Sequence, residues 1–281
     1  MPLFRKALRD LRWHVIGYGG GLAGLAMMYV FLYPTYADML AEFELPEAYK
    51  AFVGTTDLAS ARGYLQTELF SMWVPLLLAI YAIVTSTGQT VGDEGSGTME
   101  MVLAQPVSRR RLFLERATGL AVGAALICAL TVLGFIVSVP FVDLRGDITL
   151  GELAVAPFGA LLFGLTFIAL SLLIGTLTPT RGQAAGLLTA LVVLFYLMDV
   201  LPDLWTALDP LRYGSPFYYA DMKRLLIEGV VPWHQAVLAA ATVAFAALAL
   251  AAFEAREIGT RRSPLADLLR RRPPLSERAT P

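Results

Sequence analysis

The chain has 281 residues, of which 57% are hydrophobic and 16% charged, with a mean hydropathy of +0.62. That composition lies far from a soluble domain and marks an integral membrane protein. A net charge of −1 excludes a basic nucleic-acid binder, and one cysteine, Cys128 inside an apolar run, excludes a disulfide framework or a cysteine metal cluster.

Residues 2–13 put Leu3, Phe4, Ala7, Leu8 and Leu11 on one helical face and Arg5, Lys6, Arg9 and Arg12 on the other. This is the pattern of a helix lying in the membrane interface, so an elbow helix is expected over 1–13. A cleavable signal peptide is the competing reading. The apolar run that follows, residues 14–33, is about twenty residues long, longer than a signal's apolar region, which favours a retained first span. That span holds two small-x-x-x-small pairs, Gly17 with Gly21 and Gly20 with Gly24. Such pairs permit close helix approach, and packing within the chain is preferred here over a dimer seam.

Residues 34–69 are acidic and mixed and are expected to form a long loop, helical around 58–70. The second span, 70–91, is apolar to Val84 and then carries Thr85, Ser86, Thr87, Gln89 and Thr90. The third covers 119–142 and the fourth 153–177, where Pro157, Gly159 and Gly164 predict a kink in the first turns. The fifth, 184–201, contains Asp199, the one acid within a predicted span. Three residues before Pro202, it reads as a boundary residue near the headgroups; an intramembrane polar site is the alternative. Residues 202–233 are rich in Trp, Tyr, Phe and Pro and fit an interfacial aromatic belt or half-inserted segments. The sixth span is 234–253. The tail, 254–281, carries seven arginines and four prolines and reads as a basic juxtamembrane segment.

Between the second and third spans, residues 88–119 read GQTVGDEGSGTMEMVLAQPVSRRRLFLERATG. Residues 97–104 predict a short helix, Pro106 ends it, and Ser108 is placed to cap a following helix whose first turn holds Arg109, Arg110 and Arg111. The pattern formed by Glu94, Gly97, Thr98, Glu100, Leu103, Ala104, Pro106, Ser108 and Arg109 resembles the first cytoplasmic loop of the ATP-binding-cassette (ABC) type-2 exporter permeases. The resemblance implies a coupling helix seated in a groove of a separate ATPase subunit. It assigns polar contacts to Glu94, Glu100, Arg109 and Arg110 and groove-filling to Met99, Met101, Val102 and Leu103. The Ser215-Pro216-Phe217-Tyr218-Tyr219 run is similar to that family's loop before the last span, where short helices dip back into the membrane. The layout of the whole chain follows the same resemblance, while its specific motifs occupy a small part of it.

Charge placement sets the expected topology. With a cytoplasmic N-terminus, the inner segments hold 16 Lys and Arg (4 before the first span, 4 in the coupling loop, 1 near residue 181, 7 in the tail), and the outer ones hold 6 (2, 1 and 3). The split favours both termini in the cytoplasm. Nineteen arginines against three lysines suggest a GC-rich prokaryotic genome and hence a prokaryotic cytoplasmic membrane.

Five of the six predicted spans contain no Asp, Glu, Lys or Arg, which argues against ion-driven transport. Lys6, Lys50 and Lys223 stand in no phosphate-binding Gly-x-x-x-x-Gly-Lys setting, so ATP and Mg²⁺ are expected on a partner. His14 and His234 sit at span ends and Asp199 has no acidic companion within the membrane, so no catalytic site is expected. The expected fold is all-α, with six transmembrane helices, an interfacial elbow helix and a coupling helix. The expected function is the permease subunit of an ABC exporter for a hydrophobic or amphipathic substrate, acting as two permease copies with two ATPase copies. A self-contained transporter or a membrane scaffold is the alternative.

Overall fold

A computed structural model of the chain describes residues 2–41, 60–92, 108–144, 148–221, 225–227 and 229–255. All regular structure among them is helical: α1 (Pro2–Ala41), α2 (Ala61–Gly92), α3 (Arg109–Phe141), α4 (Leu150–Gly159), α5 (Leu161–Leu177), α6 (Arg181–Leu204), α7 (Pro216–Ala220) and α8 (Pro232–Ala255), with short helical turns at Thr206–Leu208 and Asp209–Arg212 between α6 and α7. With α4 and α5 counted together, six of these elements are long and apolar enough to cross a membrane. Five of the predicted spans lie inside one of them, and the third, 119–142, ends one residue beyond α3.

The helices extend beyond the predicted spans, for physical reasons. α1 runs unbroken across Trp13 and His14, because its buried stripe begins before them, at Leu11, and continues through Val15, Leu22, Ala26 and Val30. It also continues past Pro34, where the loop was expected to begin. An interior proline costs a helix about 3 kcal/mol. Three tyrosines on the same face, Tyr29, Tyr33 and Tyr36, converge on Tyr64 of α2 with ring centroids 5.9, 5.9 and 4.6 Å away. At roughly 0.5–1.5 kcal/mol for each aromatic pair, this cluster offsets the proline. The kink expected at Pro157 is present as a break at Ala160, between α4 and α5.

α1 packs along α3, α8 along α5, and α2 and α5 pair at the centre. In the most apolar part of each span, 61% of α2 and 67% of α4–α5 is buried, against 28% of α1 and 17% of both α6 and α8. The bundle therefore has an inner pair, three outer helices and α3 between them, 44% buried. Hydropathy does not separate the faces: α3 buries Gly119, Gly123, Ala124, Cys128, Thr131 and Gly134 together with Leu120, Ile127 and Phe135, and exposes Leu126, Leu133, Ile136 and Val137. Small residues let backbones approach where lipid removes any hydrophobic drive between helices. A Cβ on Gly134 would lie 2.6 Å from the Ala23 carbonyl, and one on Gly19 would lie 2.5 Å from Leu130, so α1 and α3 touch through glycine.

The glycine pairs of α1 do not share that seam. Gly17, Gly20, Gly21 and Gly24 meet nothing within 4 Å. The preference for packing within the chain is overturned for these four residues, because Gly19 on the opposite side takes the α3 contact. Their face is left on the outside of the bundle.

Candidate coupling site

Both termini of the described chain lie at one end of the bundle, with the end of α2 and the start of α3; this is the termini end. Glu94, Gly97, Thr98, Met99, Glu100, Met101, Val102, Leu103 and Pro106 lie outside the described residues, as does the basic tail after Ala255. The structure describes the two roots from which the intervening loop springs.

The first root is the last turn of α2, residues Gly88–Gly92, which is wound as a π-helix. Local chemistry explains it. The hydroxyls of Thr85, Thr87 and Thr90 donate to the carbonyls of Tyr81, Ile83 and Ser86 at 2.6, 2.6 and 2.9 Å. Such back-bonding competes with the helical ladder, and Gly88 and Gly92 add two weak helix formers. Arginines from two other helices brace this turn. Arg116 of α3 donates to the Gln89 carbonyl, and Arg181 of α6 donates from Nη2 to the Val84 carbonyl at 3.2 Å, its side chain passing Gly88 and Gly92. Cationic donors suit the carbonyl-rich C-terminal end of a helix. α5 closes the third side at Gly175, where a Cβ would fall 2.4 Å from Thr90 Oγ1.

The second root is the start of α3. Ser108 is the N-cap: its Oγ accepts from the Arg111 N–H at 3.3 Å, as the sequence predicts. Arg111 pairs with Glu115 at 2.8 Å across one turn. Arg109, Arg110 and Arg111 occupy the positive end of the helix dipole, the less favourable end for cations. Their placement serves topology or a partner better than it serves the helix.

At the far end of the bundle, α2 is fastened differently. Arg62 Nη1 donates to the Leu226 carbonyl at 2.6 Å, Arg62 Nη2 to Glu152 at 2.7 Å, and buried Gln66 accepts from the Leu226 N–H at 2.6 Å. Glu152 also closes a capping box with Thr149 at the start of α4. The aromatic segment divides in two. Ser215 caps α7 and donates to the Phe195 carbonyl at 2.6 Å, and Phe217 is buried against Phe163, Phe167 and Tyr196, while Tyr213 and Trp233 stay exposed. Burial raises the Tyr218 phenol above its ordinary value. Asp199 is half-buried in α6, one turn before Asp203, which pairs with Arg212 at 3.0 Å.

Arg116, Arg181, Arg62 and Gln66 were not singled out from sequence as site residues. All four hold main-chain atoms of α2 or of the 225–227 segment, and a main-chain target has no residue-type signature. The capping box did have one, Thr149-x-x-Glu152.

No curated protein matches the sequence. A family model described as "Multidrug efflux system permease Rv1217c, C-terminal domain" matches residues 4–254, a stretch that includes both roots, the loop between them and all six long helices. The chain belongs to this multidrug efflux permease family and is a multi-pass membrane protein.

Proposed function

We propose that the chain is the transmembrane permease subunit of a type-2 ABC exporter, acting as two copies with two copies of a separate cytoplasmic ATPase. One observation carries the reading: the Gly-Thr-x-Glu loop of an efflux permease springs from a helix end braced by arginines of two other helices. A loop carried on such an end acts as a lever. Movement of residues 94–110 by an ATPase would pass through the Gly88–Gly92 turn to α3 through Arg116 and to α6 through Arg181. Glu94, Glu100, Arg109 and Arg110 make the polar contacts to the ATPase, while Met99, Met101, Val102 and Leu103 fill its groove. ATP and Mg²⁺ bind on that partner, and this chain holds no catalytic site. The lever then shifts the bundle between two packings.

The exposed glycine face of α1 supports a second copy, since Gly17, Gly20, Gly21 and Gly24 offer close backbone approach with no occupant in the bundle. The charge split supports cytoplasmic termini in a prokaryotic plasma membrane. The apolar spans and membership of a multidrug efflux permease family both fit a hydrophobic or amphipathic substrate exported from the cell.

The test is purification from native membranes in mild detergent after cross-linking. An ATPase with a phosphate-loop lysine should co-purify with the intact chain and be lost when residues 97–104 are deleted. Recovery of the inserted, intact chain without any ATPase would sink the reading. Glu100→Lys should leave insertion unchanged and uncouple ATP hydrolysis from efflux.

A further inference from the structure

A hydroxyl buried in a helix commonly finds its partner in its own helix, by donating to the carbonyl one turn back. The inner pair, α2 and α5, follows this rule with two exceptions. From 78 to 92 and from 161 to 177, the hydroxyls of Thr85, Thr87, Thr90, Thr166 and Thr176 donate to the carbonyls four residues before them, at between 2.6 and 2.9 Å. Ser86 and Ser171 do not. Both side chains are fully buried, and neither Oγ has a hydrogen-bond partner among the described residues. Residue type is not the reason, since Ser138 of α3 makes the bond at 2.8 Å.

The packing sets these two residues opposite each other. α2 and α5 run side by side in the same direction: a Cβ on Gly164 would meet Leu78 at 3.5 Å, and one on Gly175 would meet Thr90 at 2.4 Å. Ser86 lies four residues before Thr90, and Ser171 four before Gly175. Four residues are about one turn, so both serines sit on the touching faces, one turn in from the contact between Thr90 and Gly175. They do not bond each other. Gln89 Oε1, one turn beyond Ser86, is a third buried oxygen without a partner, so unmet hydrogen-bonding capacity collects at this end of the seam. Two facing hydroxyls are both satisfied by one small molecule that donates and accepts, and a buried water with at least two polar partners does this.

We propose that the seam between α2 and α5 binds a water molecule between Ser86 and Ser171, which accepts from one hydroxyl and donates to the other. The inner pair is joined at this point by a water-mediated contact, two residues before the Gly88–Gly92 turn begins. A bridging water follows small changes in helix spacing that would break a direct bond between two serines. The site belongs to the seam itself and stands or falls apart from the exporter reading.

The test compares the full chain with the double variant Ser86→Ala, Ser171→Ala by infrared spectroscopy, in ordinary water and in water enriched in oxygen-18. The native-minus-variant difference should contain an O–H stretching band that moves to lower frequency in the heavy water. A serine hydroxyl keeps its own oxygen, so a band that does not move assigns a direct bond between the serines and overturns the proposal. Unfolding stability gives the second readout. Each single variant removes one end of the bridge and leaves the other hydroxyl without its partner, so each should lower the folding equilibrium constant by roughly threefold or more. The double variant should lower it by less than the product of the two. A folding constant that is unchanged or raised in the single variants shows that the hydroxyls had no partner to lose, and losses that simply multiply give each serine a partner of its own. Either result overturns the shared water.

Discussion

α2 is irregular at both ends, with π-helical winding at Gln66–Trp73 and again at Gly88–Gly92, yet the two ends are secured in opposite senses. At the far end α2 supplies the side chains, Arg62 and Gln66, and they hold the backbone of Leu226. At the termini end α2 supplies the backbone, and Arg116 and Arg181 hold it. A helix that grips a loop fixes the loop. A helix end gripped by two neighbours must move with them, which suits the proposed role of the loop that emerges there.

The sharpest way to break this contrast is to release the gripped end. Arg116→Ala combined with Arg181→Ala removes two hydrogen bonds from charged donors, each worth about 1.5–3 kcal/mol. On the proposed function, ATP-coupled efflux should fall by roughly tenfold or more, the factor expected when at least 1.4 kcal/mol of coupling is lost. Insertion and the amide exchange of Leu226 should not change. Efflux at the native level would separate the arginine brace from coupling.

Releasing the gripping end should act on stability instead. Gln66→Leu leaves the buried Leu226 N–H without its acceptor, at a cost of about 1–3 kcal/mol. Thermal stability should drop and exchange at Leu226 should rise, with the proposed ATP coupling per folded molecule unchanged. A coupling defect of the same size as the stability defect would erase the distinction between the two ends.

A finer question is whether the arginines alone secure the terminal turn. Gly175→Ala places a methyl group against Thr90, and overpacking of this kind costs about 1–3 kcal/mol. Thr90→Ala removes the obstacle, so the double variant should recover part of that loss, with a coupling energy of roughly 0.5–3 kcal/mol. Additive losses would assign the whole restraint to Arg116 and Arg181.

The spans were legible because twenty apolar residues have few alternatives, and the break near Pro157 because proline removes a donor. Faces within the spans were not. In lipid both sides of a helix are apolar, so Gly17, Gly20, Gly21 and Gly24 could not be told from Gly19 by hydropathy, and only the bundle shows which of them meets α3. The end of α1 was misplaced because its stabilising partner, Tyr64, lies in another element. Ser108 was legible as a cap, since capping is local. The braces were not, since Arg116 reaches a carbonyl 27 residues away and Arg181 one 97 residues away.

The smallest effects test the two ends through their caps. Ser108 caps α3 at the termini end and Thr149 caps α4 at the far end, and each accepts a hydrogen bond from the N–H three residues on, at 3.3 Å. The surroundings differ in sign. Ser108 precedes three arginines that the helix dipole disfavours, whereas Thr149 is answered by Glu152, an anion at the favourable end that also holds Arg62. Ser108→Ala should cost about 1 kcal/mol and fray only the first turn of α3, because Arg111 and Glu115 still pair beyond it. Thr149→Ala unseats one of Glu152's partners, so its effect should spread to Arg62 and through it to Leu226. Hydrogen exchange separates the cases: faster exchange confined to residues 109–112 in the first variant, and faster exchange at both 150–153 and 226 in the second. Confinement in both would mean that the far-end contacts act singly, and that α2 grips the loop through Gln66 rather than through a connected network.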